Sequence, residues 1–385
     1  MKSSGWNVWG ICALTAGLAT SAEAGTNAYV NDFLQMGFGA RALGLGGASF
    51  VAMADDASAT YWNPAGLTQV RRPEAGVMYR QRFSNVYKDQ EYDLVIPRPK
   101  NAFAVTYFQT TIGNVPVTRG LSSTEETSFV SDAVALPAST SSNARDSALY
   151  IAWAAHPYEH WSFGVTGKLI NRNFLDSLQA WGYGLDGGLL YRAGPWGAGL
   201  DVQDLLQQLK WKGTDPNTQE SLNFSEKAPL GARLGLSYRC ALSAGGNTLV
   251  TSLAGERVGS GFWPRFGLEL AYGFIQFRGG ILYNGASSES DSGFKSSYTF
   301  QPSMGLGIAV KSFSFQYGLR FHPLGMIQGL TMSYQWGLNP NDINLSMPKR
   351  SLVYRKTFDE NWEYQDLMAL LNDDLGSVYA QKRGH

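Results

Sequence analysis

One stretch of this chain spells a zinc-protease pattern. His156-Pro157-Tyr158-Glu159-His160 fits H-x-x-E-H, in which two His on one helical face hold a metal and the Glu acts as base. That mechanism needs a helix. Here Pro157 falls between two strand-like runs, so the stretch reads as a turn and no metal is expected. The chain has only 4 His. The other two, His322 and His385, sit in no metal-ligand cluster. No G-x-S-x-G elbow occurs, and so few His leave no Ser–His constellation to assemble. Gly37-x-Gly39 and Gly44-x-Gly46 lack the preceding buried strand of a dinucleotide fold. The reading is therefore not an enzyme, with no cofactor.

The remaining chemistry is charge placed at alternate positions. Arg192, Arg233, Arg239, Arg265, Arg278 and Arg320, with Asp186 and Glu269, fall on the polar faces of two-faced segments. Arg forks match carboxylates, so such a wall is a candidate ligand-binding surface. The plainer reading is charge packed against water or an internal segment, because barrel interiors are polar.

The elements that carry these charges recur almost to Trp336. In one, Phe313, Phe315, Tyr317, Leu319 and Phe321 share a face, opposite Ser314, Gln316, Gly318 and Arg320. In another, Leu230, Ala232, Leu234, Leu236 and Tyr238 oppose Gly231, Arg233, Gly235, Ser237 and Arg239. About fourteen such strands are predicted, near 74–83, 89–97, 101–110, 146–157, 160–172, 181–193, 196–203, 228–240, 246–256, 263–272, 274–284, 299–310, 312–321 and 327–337. Short turns alternate with longer loops at 111–145, 173–180, 204–227, 257–262 and 285–298. Loops at 84–88 and 322–326 are shorter than the rest of that set. The fold class predicted is all-β, a transmembrane antiparallel barrel over 73–337. An even strand number puts both termini on the short-turn, periplasmic side of a bacterial outer membrane.

Bulk composition agrees. Across 385 residues the formal net charge is zero, which argues against a nucleic-acid partner. Charged residues are 16%, aromatics 13%, and Gly numbers 44. A barrel with aromatic girdles fits this, as does a secreted β-sandwich. Residues 1–24 read as a signal peptide: Lys2, the apolar run Trp9–Ala19, then Ala22-Glu23-Ala24 before Gly25. With no long apolar run after it, the mature chain can span lipid only as a closed barrel.

Two regions break the rhythm. Residues 25–72 are Gly- and Ala-rich, too apolar to be disordered, and of a size to fill a wide lumen as a plug. Residues 338–385 form a tail. Leu367, Leu370, Leu371 and Leu375 predict an amphipathic helix in it.

The run Gly39–Leu67, GARALGLGGASFVAMADDASATYWNPAGL, resembles the N-terminal signature of the FadL superfamily of outer-membrane barrels. It is closest to the PorV and uncharacterised spirochaetal (UPF0164-like) branches. Asn63-Pro64-Ala65 looks like the plug motif of its fatty-acid transporters. Leu185–Leu200 and Phe315–Gly337 look like the mid-barrel and the closing strands. The resemblance implies a fourteen-stranded barrel with 25–72 folded inside. It further implies uptake of fatty acids and other hydrophobic compounds or, in the PorV branch, service to type IX secretion. The tail after Trp336 departs from the family pattern.

The motif also has a local reading. Gly39, Gly44, Gly46 and Gly47 permit close backbone approach. Arg41 and Trp62 belong to the same motif. Asp55 and Asp56 are expected to cap a short helix at Ala57–Tyr61, and Pro64 to end it. The leading expectation is an outer-membrane barrel, set in lipid, that binds and transports small hydrophobic or amphipathic molecules such as long-chain fatty acids. The alternative is a non-enzymatic accessory that docks a periplasmic or secretion-complex protein through 338–385.

Overall fold

The computed structural model describes residues 32–116, 141–174, 178–214, 220–242, 246–258, 261–290 and 293–337. The expected signal peptide, the first residues of the expected plug, and the tail with its helix lie outside the described residues.

The described residues form one antiparallel sheet of sixteen strands. They are β1 (Glu74–Arg82), β2 (Tyr87–Pro97), β3 (Asn101–Pro116), β4 (Ser141–Tyr158), β5 (Trp161–Phe174), β6 (Leu178–Ala193), β7 (Trp196–Gln203), β8 (Gln208–Thr214) and β9 (Ser221–Lys227). The rest are β10 (Gly231–Ala241), β11 (Thr248–Val258), β12 (Gly261–Tyr272), β13 (Ile275–Ser290), β14 (Gly293–Val310), β15 (Phe313–His322) and β16 (Gly325–Gln335). Fourteen close a barrel. β7 pairs directly with β10, and β1 meets β16 from Glu74↔Gln335 to Arg82↔Ile327. At the level where β7 joins β6 to β10, closure leaves no edge, which is what lipid demands of a spanning sheet.

The alternation places the faces. In β5, Trp161, Phe163, Val165 and Leu169 are exposed, while Ser162, Thr166, Lys168 and Ile170 are buried. In β15, Phe313, Phe315, Tyr317 and Phe321 are exposed, while Gln316 and Arg320 are buried. A water-soluble protein would reverse this, keeping large apolar side chains in and Lys and Arg out. Among the described residues no helix is long and apolar enough to cross a membrane.

Two details differ from expectation. The stretch 204–227 is not a plain loop. β8 and β9 form a hairpin there, and β8 continues the sheet on the Leu178–Tyr183 half of β6. β7 pairs the other half, Gly187–Ala193. Leu209 and Trp211 point inward and are buried, while Lys210 and Lys212 are exposed. The second difference is at the short loops, where the turn after β1 is tighter still. Phe83, Ser84 and Asn85 all take positive φ to make it.

Residues 33–70 run inside the barrel as short helical turns. The α-turns are Ala40–Gly44 and Ala59–Trp62; 3-10 turns lie at Asp32–Leu34, Ala48–Ala52 and Pro64–Gln69. Ala40–Gly44 packs on β13 to β16, Ala48–Ala52 on β7 and β10 to β12, and Pro64–Gln69 on β2 to β6. The wall receives this backbone at glycines. A Cβ at Gly318 would lie 2.2 Å from the Ala40 carbonyl oxygen, and one at Gly164 would lie 2.3 Å from the Ala65 nitrogen. Neither distance is tolerable, so these strand glycines set how close the inner segment can sit.

Candidate functional site

Among the described residues, three charge clusters of the lumen join inward positions of neighbouring strands to the inner segment. The first centres on Arg41. Its Nε donates to Glu269 Oε2 and its Nη2 to Glu269 Oε1, both at 2.7 Å. Its Nη1 donates to Asp55 at 2.5 Å and to Asp56 at 3.1 Å. Burial works against the Arg41 charge, but Asp55 and Glu269, with Asp56, outweigh it and hold its pKa well above the ordinary value. Arg278 donates to Glu269 at 2.7 Å, and Arg239 lies 3.6 Å from Asp55. The expected capping role for the two aspartates is corrected here. The helix begins later, at Ala59. Asp56 accepts from the backbone N–H of Ser58 at 3.1 Å and from its hydroxyl at 2.6 Å, an Asx turn before the helix. Asp55 is drawn away by Arg41.

The second cluster centres on Arg233. Its Nε donates to Glu256 at 2.8 Å, and its Nη1 lies 3.3 Å from Asp201. Its Nη2 donates to the Tyr61 hydroxyl at 2.7 Å. Burial pushes the Tyr61 phenol up to about 12, against the pull of Arg233. Arg265 also holds Glu256, and its Nη1 donates to the Gly46 carbonyl at 3.0 Å. Arg192 reaches the Ala52 carbonyl at 3.4 Å.

The third cluster lies toward the long-loop end. Arg80 and Arg82 share Asp89, at 2.7 and 3.0 Å. Arg80 Nη1 also donates to the Gly37 carbonyl at 2.8 Å. Arg320 sits beside them, only 2% exposed. Separately, beside Tyr61 and Asp201 of the second cluster, Lys168 on β5 joins Asp186 at 2.8 Å and also Asp204. Arg80, Arg82, Asp89, Lys168, Asp201 and Glu256 were not among the residues singled out from the sequence. The same alternation that exposed Arg320 carried them, with Arg80 and Arg82 flanking Gln81 on β1.

The rest of the motif is structural glue. Gly39, Gly46 and Gly47 have φ of 77°, 80° and 80°, where any other residue would be strained. Gly44 presses on Gly305. Trp62 Nε1 donates to the Phe38 carbonyl at 2.8 Å. Asn63 is extended at φ −170°, accepts from Ala65 N at 3.1 Å, and donates to the carbonyls of Val51 and Leu189. Pro64 then opens the next turn. On the wall, His156 contacts the Pro99 carbonyl, and His160 lies 4.0 Å from Glu159. Among the described residues no His, Cys, Asp and Glu group is arranged to hold a metal.

Two spaces remain. At the short-turn end a cavity of about 120 Å³ is lined by Arg41, Asp55, Asp56, Glu74, Glu91 and Glu269, among others. Toward the other end the lumen turns apolar. Phe38 stacks on Phe108 at 4.8 Å and meets Tyr150 at 5.0 Å, and Phe33 stacks on Phe108 at 6.3 Å. Ile170, Ala180 and Leu209 are fully buried in the same cluster, with Trp211 of the β8–β9 hairpin beside them.

No protein-family model matches the chain, and no curated protein has a matching sequence. Solved structures do match. The CymD monoaromatic hydrocarbon channel superimposes with a TM-score of 0.50 at 14% identity, covering 78% of this chain and 98% of that one. The fold is shared with that channel: a closed antiparallel β-barrel. The P. putida toluene transporter TodX also aligns, with a TM-score of 0.49 at 11% identity over 79% of this chain and 99% of its own. At 14% identity the likeness is one of architecture: a closed antiparallel wall, here of fourteen strands.

Proposed function

We propose that this FadL-like barrel passes small hydrophobic or amphipathic molecules, long-chain fatty acids among them, across the outer membrane, with residues 25–72 as its plug. The observation that carries this reading is the patch of Phe33, Phe38, Phe108 and Tyr150 under the β8–β9 hairpin. Barrel interiors are polar by default, and an aromatic surface inside one is suited to hold an apolar ligand. Structurally similar barrels named as hydrocarbon channels support the same class of cargo. The even strand number, with the turns beside Glu74 and Gln335 short, supports both termini in the periplasm and the patch toward the outside.

A second reading draws on the ion pairs. A plug tied by Arg41 to Glu269 suits a static barrel that serves a secretion or envelope complex through 338–385. One experiment separates the two. Calorimetry with a hydrophobic ligand panel on intact protein and on protein truncated after Gly337 should give equal affinities for a transporter, and Phe108→Ala should weaken them. No binding by the intact protein, together with a partner lost on truncation, would transfer the conclusion to the second reading. Location is checked independently: the mature protein should fractionate with the outer membrane and change gel mobility on boiling.

A further inference from the structure

The cavity at the short-turn end is acidic. Among the described residues its lining carries six carboxylic acids against three cations, Arg41, Arg239 and Lys311. Two of those cations are already engaged: Arg41 holds Asp55, Asp56 and Glu269, and Arg239 lies 3.6 Å from Asp55. Lys311 is exposed on the turn between β14 and β15. The part of the lining on β1 and β2 contributes Glu74, Glu91 and Asp93.

Glu91 and Asp93 are the unusual members. They stand two residues apart on the lumen face of β2, 0% and 8% exposed. Glu91 Oε2 accepts the Gly39 N–H at 3.0 Å, but Glu91 Oε1 has no hydrogen-bond donor among the described residues. Asp93 Oδ1 accepts the Thr106 hydroxyl at 2.6 Å. The two carboxyl groups lie within hydrogen-bonding reach of each other. Ionised carboxylates only accept, so a proton or a cation has to stand between them. Arg80 acts on Glu91 through space but is held by Asp89, while Glu74 and Asp56 add negative field at Asp93. There is also room beside the pair. Gly76 stands opposite Asp93 in the β1–β2 register, and a Cβ there would lie 3.5 Å from Asp93 Oδ2.

We propose that this cavity binds a small primary ammonium ion, whose N–H groups donate to Glu91 Oε1 and Asp93 Oδ2. An ammonium group brings three donors and one positive charge, which suits two facing acceptors. A hard metal ion such as calcium takes six or more oxygens, and among the described residues no three acidic, His or Cys side chains are arranged to hold a metal. The volume of about 120 Å³ leaves room for a short alkyl chain behind the nitrogen, since a water takes only about 30 Å³ of the liquid. The site rests on the cavity and not on the transport reading, which its failure would leave standing.

The test is calorimetry on the full chain in non-ionic detergent at about pH 8, where an alkylammonium keeps its proton as lysine does. The probes are propylammonium, propanol and tetramethylammonium chloride. Propylammonium should bind about tenfold or more tighter than both, because propanol lacks the charge and tetramethylammonium lacks N–H donors. Asp93→Asn should remove that preference. Gly76→Val keeps every charge but fills the space beside Asp93, and it should weaken propylammonium likewise. Both variants should stay heat-modifiable. Equal affinity for propylammonium and tetramethylammonium would mean a diffuse acidic field and overturn the site. No propylammonium binding, or binding unchanged in either folded variant, would overturn it too and leave a proton between Glu91 and Asp93. Binding that emerges only after truncation beyond Gly337 would mean a basic side chain of the chain itself fills the cavity, which also overturns the proposal.

Discussion

Arg41 grips Glu269 with two parallel bonds of 2.7 Å, joining the inner segment to β12 across 228 positions of sequence. The geometry is the fork-to-carboxylate match that makes Arg–carboxylate pairs directional as well as strong. Both partners are buried, and the same guanidinium holds Asp55 and Asp56. The inner segment is thus fixed at its most charged point rather than merely enclosed.

Removing one side of that pair leaves an uncompensated buried charge. Arg41→Ala should cost about 3–5 kcal/mol of stability. Exchanging both, Arg41→Met with Glu269→Met, should cost less than the two single changes added together, because neither partner is then left facing the other's absence. Denaturant unfolding of the purified barrel measures all three. Additive losses would mean the two residues do not act on each other.

The wall glycines make a steric prediction. Gly318→Val places side-chain atoms where the Ala40 carbonyl now sits. The inner segment must then move, while β15 keeps its ladder with β14 and β16. The variant should remain heat-modifiable yet conduct more ions in planar bilayers. Gly279→Val, whose Cβ would meet nothing within 4 Å, is the control and should conduct as wild type.

Deleting residues 25–67 should leave an inserted barrel with raised conductance, because a fourteen-stranded lumen is too wide for its own side chains to fill. Unchanged single-channel conductance would rule out the plug role.

Tyr61 gives a pH signature. Its phenol is pushed up to about 12 by burial, from an ordinary value near 10. The folded state therefore holds this proton longer than the unfolded chain, and stability should fall as pH rises from about 10 to about 12. Ultraviolet titration should find one phenolate fewer forming near pH 10 in folded than in denaturant-unfolded wild-type protein, and Tyr61→Phe should remove that difference. Tyr61→Phe should flatten its share of the alkaline loss.

Much of the wall was legible because period-two alternation is a local signal. Phe313 to Phe321 state their own faces, and the arginines between them state theirs. The β8–β9 hairpin was not legible. Gln208–Thr214 and Ser221–Lys227 are polar, with Leu209 and Trp211 as the main inward anchors, and too short to stand out from a loop. Partners were harder still. That Arg233 would meet Glu256 depends on the register of β10 against β11, where the two residues stand opposite each other. That Arg41 would reach Glu269 depends on where a segment without any period comes to rest. Asp55 misled for the same reason: its sequence neighbours suggest a helix cap, while its partner is fourteen residues upstream.

The doubled pairing of β6 has a consequence for the rim. Below Tyr183 the sheet closes on itself through β7, but above it the neighbour is β8, and beyond β8 comes only β9. Among the described residues β9 pairs with nothing else. The wall is a seamless cylinder at one level and a ribbon with a loose hem at the next. Such a hem invites a foreign strand, and it carries the usual deterrents: Lys227 at its end, Glu226 beside it, and Lys210 and Lys212 on the strand behind. Crowded side by side in a membrane, these barrels present charged fringes to one another rather than sticky selvedges.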